Sequence, residues 1–69
     1  MTTFAENLKR ARTRKKLTAD EAAELCGVAR STWFAYEKGT TTPPLKTLLK
    51  IADSLGTTAG KLLQGVTAD

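Results

Sequence analysis

The chain has 69 residues, so it is expected to form one small domain that buries only about 60% of its unfolded surface. It contains no histidine, the commonest general base, and its single cysteine, Cys26, has no partner for an internal disulfide or a metal cluster. We therefore expect no enzyme, no cofactor, no metal and no small-molecule ligand. Because no apolar run is long enough for a signal peptide or a membrane span, a cytoplasmic protein is expected.

The net charge of +4 is concentrated at the N-terminus. Residues 1–16 hold six cations and one carboxylate, whereas residues 17–69 hold five cations and six carboxylates. A basic segment of this kind suits the backbone of a polyanion such as DNA, through the release of counterions. A solvated helix face would show the same pattern. Charge alone therefore leaves both interpretations open.

Apolar residues recur at helical spacing along the chain, which predicts five helices and no strand. The predicted helices cover residues 3–14, 18–27, 30–38, 44–55 and 58–63, followed by a tail over 64–69. Thr18 and Glu21 have the spacing of a capping box at the start of the second helix, and Gly27 suits its left-handed end. Gly39 ends the third helix, and Pro44 suits the first turn of the fourth. The chain is thus expected to be one domain, 1–69, with its core in 3–63.

The apolar face of each helix predicts the core. The residues expected there are Phe4, Leu8, Ala11, Val28, Trp33, Tyr36, Leu45, Leu48, Leu49, Ala52, Leu55, Leu62 and Leu63. Trp33 and Tyr36 are three residues apart, which is a core spacing far more often than a platform for base stacking. Arg12 falls inside the apolar stripe of the first helix, where an unpaired charge would be costly.

The order of these features resembles the lambdoid phage repressor and Cro-like (XRE-type) helix-turn-helix family. The matching positions are Leu17-Thr18, Glu21, Ala23, Gly27-Val28, Glu37 with Gly39, Pro43 with Leu45, Leu48, Ile51-Ala52 and Leu55-Gly56, then Leu62-Leu63. The resemblance implies an all-α, compact five-helix lambda-repressor-like domain. In it, the second and third helices form the helix-turn-helix that binds operator DNA.

By this resemblance, Arg30, Ser31 and Ala35 match positions that face base edges, and Phe34 lies on the same arc. Arg30 can pair bidentately with guanine, although a phosphate contact or simple solvation is the alternative. Ser31 can donate to a base or a phosphate, and Ala35 can offer its methyl to a thymine methyl. Phe34 has three possible places: against the groove wall, folded over Arg30, or buried if the helix is rotated.

A second group of residues is expected to contact phosphates without reading sequence. Its members are Arg10, Arg14, Lys15, Lys16, Thr18, Ala19, Thr32, Lys38, Thr40, Thr41 and Lys46. The family commonly has Gln at the position of Ala19, so a contact there would come from backbone amides. Ala29 replaces the Ser or Thr often found before the recognition helix, which weakens its N-cap. For each of these residues, solvation is the alternative.

The resemblance also implies a structural ion pair. The family arginine that matches Arg12 pairs with the glutamate at the end of the third helix, which is Glu37 in this chain. A largely buried Arg12–Glu37 pair is therefore expected.

The expected function is that of a sequence-specific, double-stranded DNA-binding transcriptional regulator. A Cro-like repressor that binds a palindromic operator as a homodimer is favoured, with Leu62 and Val66 as candidate dimer contacts. The short chain favours this arrangement over a repressor with a separate oligomerisation domain, although a segment of a longer protein would look the same. The alternative is an antitoxin-like or protein-interaction module of the same fold, whose main partner is another protein.

Overall fold

The computed structural model describes residues 3–66, in which the chain forms helices and no strand. The helices are α1 (Phe4–Arg14), α2 (Ala19–Cys26), α3 (Arg30–Lys38), α4 (Leu45–Ser54) and α5 (Ala59–Leu62). The predicted all-α fold with five helices is confirmed, and every predicted end lies within one residue of the observed end. The differences arise because capping residues such as Thr18, Pro44 and Thr58 flank the helices instead of belonging to them. The predicted tail extends beyond the described residues.

Side-chain caps decide where α1 and α2 begin. The Thr18 hydroxyl accepts a hydrogen bond from the Glu21 amide at 3.1 Å, and the Glu21 carboxylate accepts one from the Thr18 amide at 2.8 Å. This is the predicted capping box. Thr3 and Glu6 form the same box at α1, and sequence reasoning missed it although the spacing is identical. The hydrogen bond from the Thr3 amide lowers the pKa of Glu6. Gly27 ends α2 with a left-handed φ of 68°, as predicted.

A single apolar core joins the helices. α1 packs against α3 and α5, α2 packs against α3 and α4, and α4 packs against α5. The largest fully buried side chains are Trp33, Leu8, Ile51, Leu62 and Cys26. Burial raises the pKa of the Cys26 thiol, so this thiol is a packed apolar group at neutral pH. In residues 3–66, no helix is long and apolar enough to cross a membrane.

Three residues predicted for the core are exposed instead. Leu45, Leu49 and Leu63 are 68%, 52% and 45% exposed. Leu49 lies about 100° from the buried Leu48 on the helical wheel, which is outside the narrow stripe that α4 buries against α2 and α5. Leu63 follows the end of α5 as its C-cap. The surface of α4 and α5 is therefore more apolar than predicted.

A buried polar residue fastens α1 to the end of α5. Asn7 is 7% exposed, and its Nδ2 donates hydrogen bonds to the carbonyl oxygens of Leu62 at 2.7 Å and Gln64 at 3.0 Å. These bonds satisfy carbonyls at the helix end, which would otherwise have no partner in the helix. Sequence reasoning missed Asn7 because an isolated asparagine on a helix is normally a surface residue.

Candidate nucleic-acid interface

A residue in the left-handed backbone conformation forms the turn between α2 and α3. Gly27 has φ 68°, and the Val28 amide donates a hydrogen bond to the Ala23 carbonyl at 2.9 Å across this turn. Ala29 precedes α3 and makes no side-chain cap, as expected for a residue without a hydroxyl. The first amides of α3 are thus not capped by the chain's own N-cap side chain. The pair of helices and its turn form a helix-turn-helix.

The two sides of α3 differ in burial. Trp33 and Tyr36 point into the core and are 0% and 5% exposed. The four candidate base readers lie on the outer arc, where Arg30, Ser31 and Phe34 are exposed and Ala35 is partly buried. The candidate phosphate contact Thr32 is partly buried. The outer arc of α3 is therefore the surface that a major groove could receive.

The position of Phe34 excludes one of the three alternatives left by the sequence, burial in the core. Its side chain is 43% exposed, so α3 is not rotated to bury it. An aromatic ring on this arc can contact a thymine methyl or a sugar at the wall of the groove.

Phe34→Ala should weaken duplex binding while leaving folding nearly unchanged. We expect the loss in free energy of unfolding to be under about 1 kcal/mol, because a half-exposed ring removes little core volume when truncated. Urea unfolding and duplex titration of the same protein sample measure the two effects. Unchanged affinity with a loss of several kcal/mol in stability would place Phe34 in the core.

An exposed ion pair connects α2 to the first residue of α3. Arg30 Nε lies 3.0 Å from Asp20 Oδ1, with the two side chains 71% and 52% exposed. A surface pair of this kind contributes only about 0–1 kcal/mol to stability. Its effect is to orient the Arg30 side chain. Because the Asp20 carboxylate is paired with Nε, the two terminal nitrogens of the guanidinium can donate to a bidentate acceptor. Sequence reasoning missed Asp20, because a separation of ten residues across a turn has no helical periodicity.

A hydrogen-bonded ion pair connects α1 to the inner side of α3. Arg12 donates from Nε to Glu37 Oε2 at 2.7 Å and from Nη2 to Oε1 at 3.3 Å. The two side chains are only 13% and 11% exposed. Arg12 Nη1 also donates to the Leu17 carbonyl at 2.7 Å, and Trp33 Nε1 donates to Glu37 Oε2 at 2.7 Å. The carboxylate therefore joins α1 to α3 and fixes which arc of α3 faces outward.

Several candidate phosphate contacts lie at the ends of helices. Thr18 and Ala19 lie at the start of α2, Lys38 at the end of α3, and Lys46 in the first turn of α4. Thr18, Lys38 and Lys46 are exposed, whereas Ala19 is partly buried against the core, so a contact at Ala19 would use its amide. Lys16 is exposed in the turn between α1 and α2, where it has a left-handed φ of 59°.

The loop after α3 is more constrained than expected. Both the amide and the hydroxyl of Thr40 donate to the Ala35 carbonyl at 3.1 Å. In this conformation, Thr40 uses both of its donors to end α3. Thr41 is exposed and remains the candidate phosphate contact of this loop.

The remaining three candidates lie elsewhere. Arg10, Arg14 and Lys15 line a surface that α1 shares with α5 and the turn before it. On the helical wheel, Arg10 and Arg14 each lie about 160° from Arg12, the residue that α1 turns toward α3. The structure therefore does not bring these cations to the outer arc of α3.

Similarity to known proteins agrees with this geometry. The helix-turn-helix model HTH_3 matches residues 8–62. The chain is 42% identical over 62 residues to the HTH-type transcriptional regulator YqaE of Bacillus subtilis, covering 90% of this chain and 53% of the relative. It is 35% identical over 60 residues to the CTXphi transcriptional repressor RstR of Vibrio cholerae, covering 87% and 54%. The chain thus spans about half the length of these curated relatives.

A solved structure shows the same fold. The restriction-modification controller protein C.AhdI of Aeromonas hydrophila superposes with a TM-score of 0.81 at 32% identity, covering 86% of this chain and 89% of the controller. These relatives are named as regulators and controllers of transcription or restriction-modification, in agreement with the expectation that the chain is not an enzyme. The match over residues 8–62 contains the helix-turn-helix and the helices that pack behind it, and the chain belongs to the HTH_3 helix-turn-helix family of transcriptional regulators.

Proposed function

We propose that this chain binds double-stranded DNA sequence-specifically by inserting α3 into the major groove. The observation that carries the proposal is the outer arc of α3, which exposes Arg30, Ser31 and Phe34 while Trp33 and Tyr36 fasten the opposite arc to the core. A helix presented in this way fits the width of the groove. The proposed place of action is the cytoplasm.

Base recognition is assigned first to Arg30. Its terminal nitrogens can donate to O6 and N7 of guanine while Nε stays on Asp20. Ser31, one residue further along α3, can donate to a neighbouring base or phosphate, and Ala35 and Phe34 can contact thymine methyl groups.

The DNA backbone is proposed to contact residues that surround α3. These flanking residues are Lys16, Thr18, Ala19, Thr32, Lys38, Thr41 and Lys46. Contacts at Ala19 would use the amide at the start of α2, where the helix dipole favours an anion. Asp20 and Glu21 in the same turn oppose this attraction, so the lysines must supply most of it.

Duplex binding should depend steeply on salt. If the three lysines among the flanking residues each neutralise one phosphate, the log of the binding constant should fall against the log of the salt concentration with a slope of about −2.7 per chain. Fluorescence anisotropy with a random duplex at several salt concentrations measures this slope. Lys38→Gln/Lys46→Gln should reduce its magnitude by about 2, whereas Lys9→Gln/Lys50→Gln, with the same loss of charge, should change it little. A flat salt dependence would argue against DNA as the partner.

A Cro-like repressor would bind a palindromic operator as a homodimer, and we propose this arrangement. The expected dimer contact Leu62 is 1% exposed and packs in the core, so it is not available to a partner. Val66, also expected, is 36% exposed, and Leu45, Leu49 and Leu63 are more exposed still. Leu45 and Leu49 belong to α4, and Leu63 and Val66 follow α5, the helix that packs against α4. Burying them between two copies would explain why they are apolar.

Leu49→Glu/Leu63→Glu should therefore shift the chain toward a monomer. Sedimentation equilibrium over a range of concentrations measures the change, since each added carboxylate would be buried unpaired in a dimer. Leu25→Glu is the matched control, because Leu25 is 54% exposed on α2 and lies outside the proposed interface. A wild-type chain that stays monomeric at all concentrations, with and without duplex, would contradict the dimer and favour a different protein partner for these leucines.

A further inference from the structure

A groove with a strongly positive lining runs between α1 and α5. It has a volume of about 390 Å³ and is lined by the cations Arg10, Arg14 and Lys61. A second depression of about 340 Å³ shares Arg14 and Lys61 with it and adds Lys15 beside Gly56. The two together form one open surface, which we name the basic groove.

None of the described residues that line the basic groove is acidic. Within residues 3–66, the ion pairs shorter than 4.0 Å are Arg12–Glu37 and Arg30–Asp20, neither of which involves a groove cation. Glu6, one turn before Arg10 on α1, interacts electrostatically with Arg10 without forming an ion pair of this length. The end of the Lys15 side chain lies over the turn at Gly56, where a Cβ would approach its Nζ to 3.2 Å. The groove therefore presents an excess of positive charge to whatever enters it.

The basic groove faces away from the proposed DNA surface. Arg10 and Arg14 lie on α1 about 160° from Arg12, which faces α3. α1 packs against both α3 and α5, so it stands between the reading helix and the groove. The DNA backbone held by α3 thus does not account for these cations.

We propose that the basic groove binds an acidic peptide segment of a partner protein while α3 remains available to DNA. Arg10 and Arg14 are one helical turn apart, a spacing at which each guanidinium can bind its own carboxylate in bidentate fashion. Ala11 and the aliphatic stems of Arg14 and Lys61 offer apolar surface to the intervening side chains of the peptide. The groove is open along its length, so it encloses an extended chain on one side and does not bury a small molecule. The proposal is independent of what α3 reads.

The probe for this site is a fluorescein-labelled 12-residue peptide with the repeat Glu-Leu-Glu. We expect it to bind the wild-type chain, and Arg14→Gln/Lys61→Gln to weaken binding about fivefold to tenfold, because two charge pairs are removed. Lys9→Gln/Lys50→Gln removes the same charge from outside the groove and should change affinity less than about twofold. Amide chemical shifts of the wild-type chain should move at Ala11 and Lys61 and remain in place at Ser31.

Two controls make the result decisive. A Gln-Leu-Gln peptide should not bind, and circular dichroism should show that both double variants are folded. Absence of binding by the acidic peptide, or equal weakening by the two double variants, would overturn the proposal. It would also be overturned if Arg14→Gln/Lys61→Gln lowered duplex affinity well below that of Lys9→Gln/Lys50→Gln, since the groove would then belong to the DNA backbone. Equal duplex affinity in the two variants supports a separate site.

Discussion

Replacing Arg12 with Met is expected to lower the free energy of unfolding by about 3–5 kcal/mol. The change leaves the Glu37 carboxylate in a site where its side chain is 11% exposed. The Trp33 indole still donates a hydrogen bond to this carboxylate, but the guanidinium donors are lost. The Leu17 carbonyl also loses the donor at 2.7 Å. A stranded buried charge costs more than the lost pair itself. Urea unfolding followed by the fluorescence of Trp33, the single tryptophan, measures the loss.

Two further variants separate the buried charge from a simple loss of packing. Arg12→Met/Glu37→Met removes both charges, so it should recover a large part of the stability lost in the single variant. Arg10→Met, on the exposed side of the same helix, should stay within about 0.5 kcal/mol of the wild type. A loss under about 1 kcal/mol in Arg12→Met would show that the pair does not hold α3.

Replacing Arg30 with Ala is expected to relax the preference for guanine at one position of each half-site. We expect about 1–3 kcal/mol of discrimination to disappear, which is about fivefold to more than a hundredfold in relative affinity. Folding should be unaffected, because the Arg30 side chain is 71% exposed and its pair with Asp20 lies at the surface. Competition between duplexes that differ only at that base pair measures the change.

The way in which the loss of affinity varies among duplexes of different sequence distinguishes a base contact from a phosphate contact. Lys38→Ala, as a matched loss of one cation at the other end of α3, should weaken all duplexes by a similar factor. If Arg30→Ala also weakened all duplexes equally, Arg30 would be a phosphate contact. Asp20→Asn should lower discrimination at the same position as Arg30→Ala, although by less, because the guanidinium would be present but less well oriented.

Local chemistry explains why the helices were predictable. The Thr18–Glu21 box and Gly27 act within a few residues of each other, so their spacing in the sequence contains the information that ends and begins α2. The Arg12–Glu37 contact joins residues 25 apart and was accessible only through the family resemblance. Periodicity alone would have left Arg12 as a charge on an apolar face.

Contacts between distant segments account for what the sequence did not reveal. The contact of Asn7 with Leu62 and that of Asp20 with Arg30 depend on how the helices cross. The spacing of these residues along the sequence does not indicate that crossing. The placement of Arg14 beside Lys61 has the same origin. The N-terminal cations form one block in the sequence, but α1 divides them between two sides of the molecule because neighbouring residues on a helix point about 100° apart.

Selection of bound duplexes from a random pool tests the central claim, that α3 reads an operator, most directly. We expect the wild-type chain to enrich two inverted half-sites with centres about 34–36 Å apart along the duplex, as two α3 helices of a dimer require. Each half-site should contain one guanine that is no longer enriched by Arg30→Ala. A pool that remains random, or a motif that Arg30→Ala and Phe34→Ala both leave unchanged, would contradict the assignment of α3 as the reading helix.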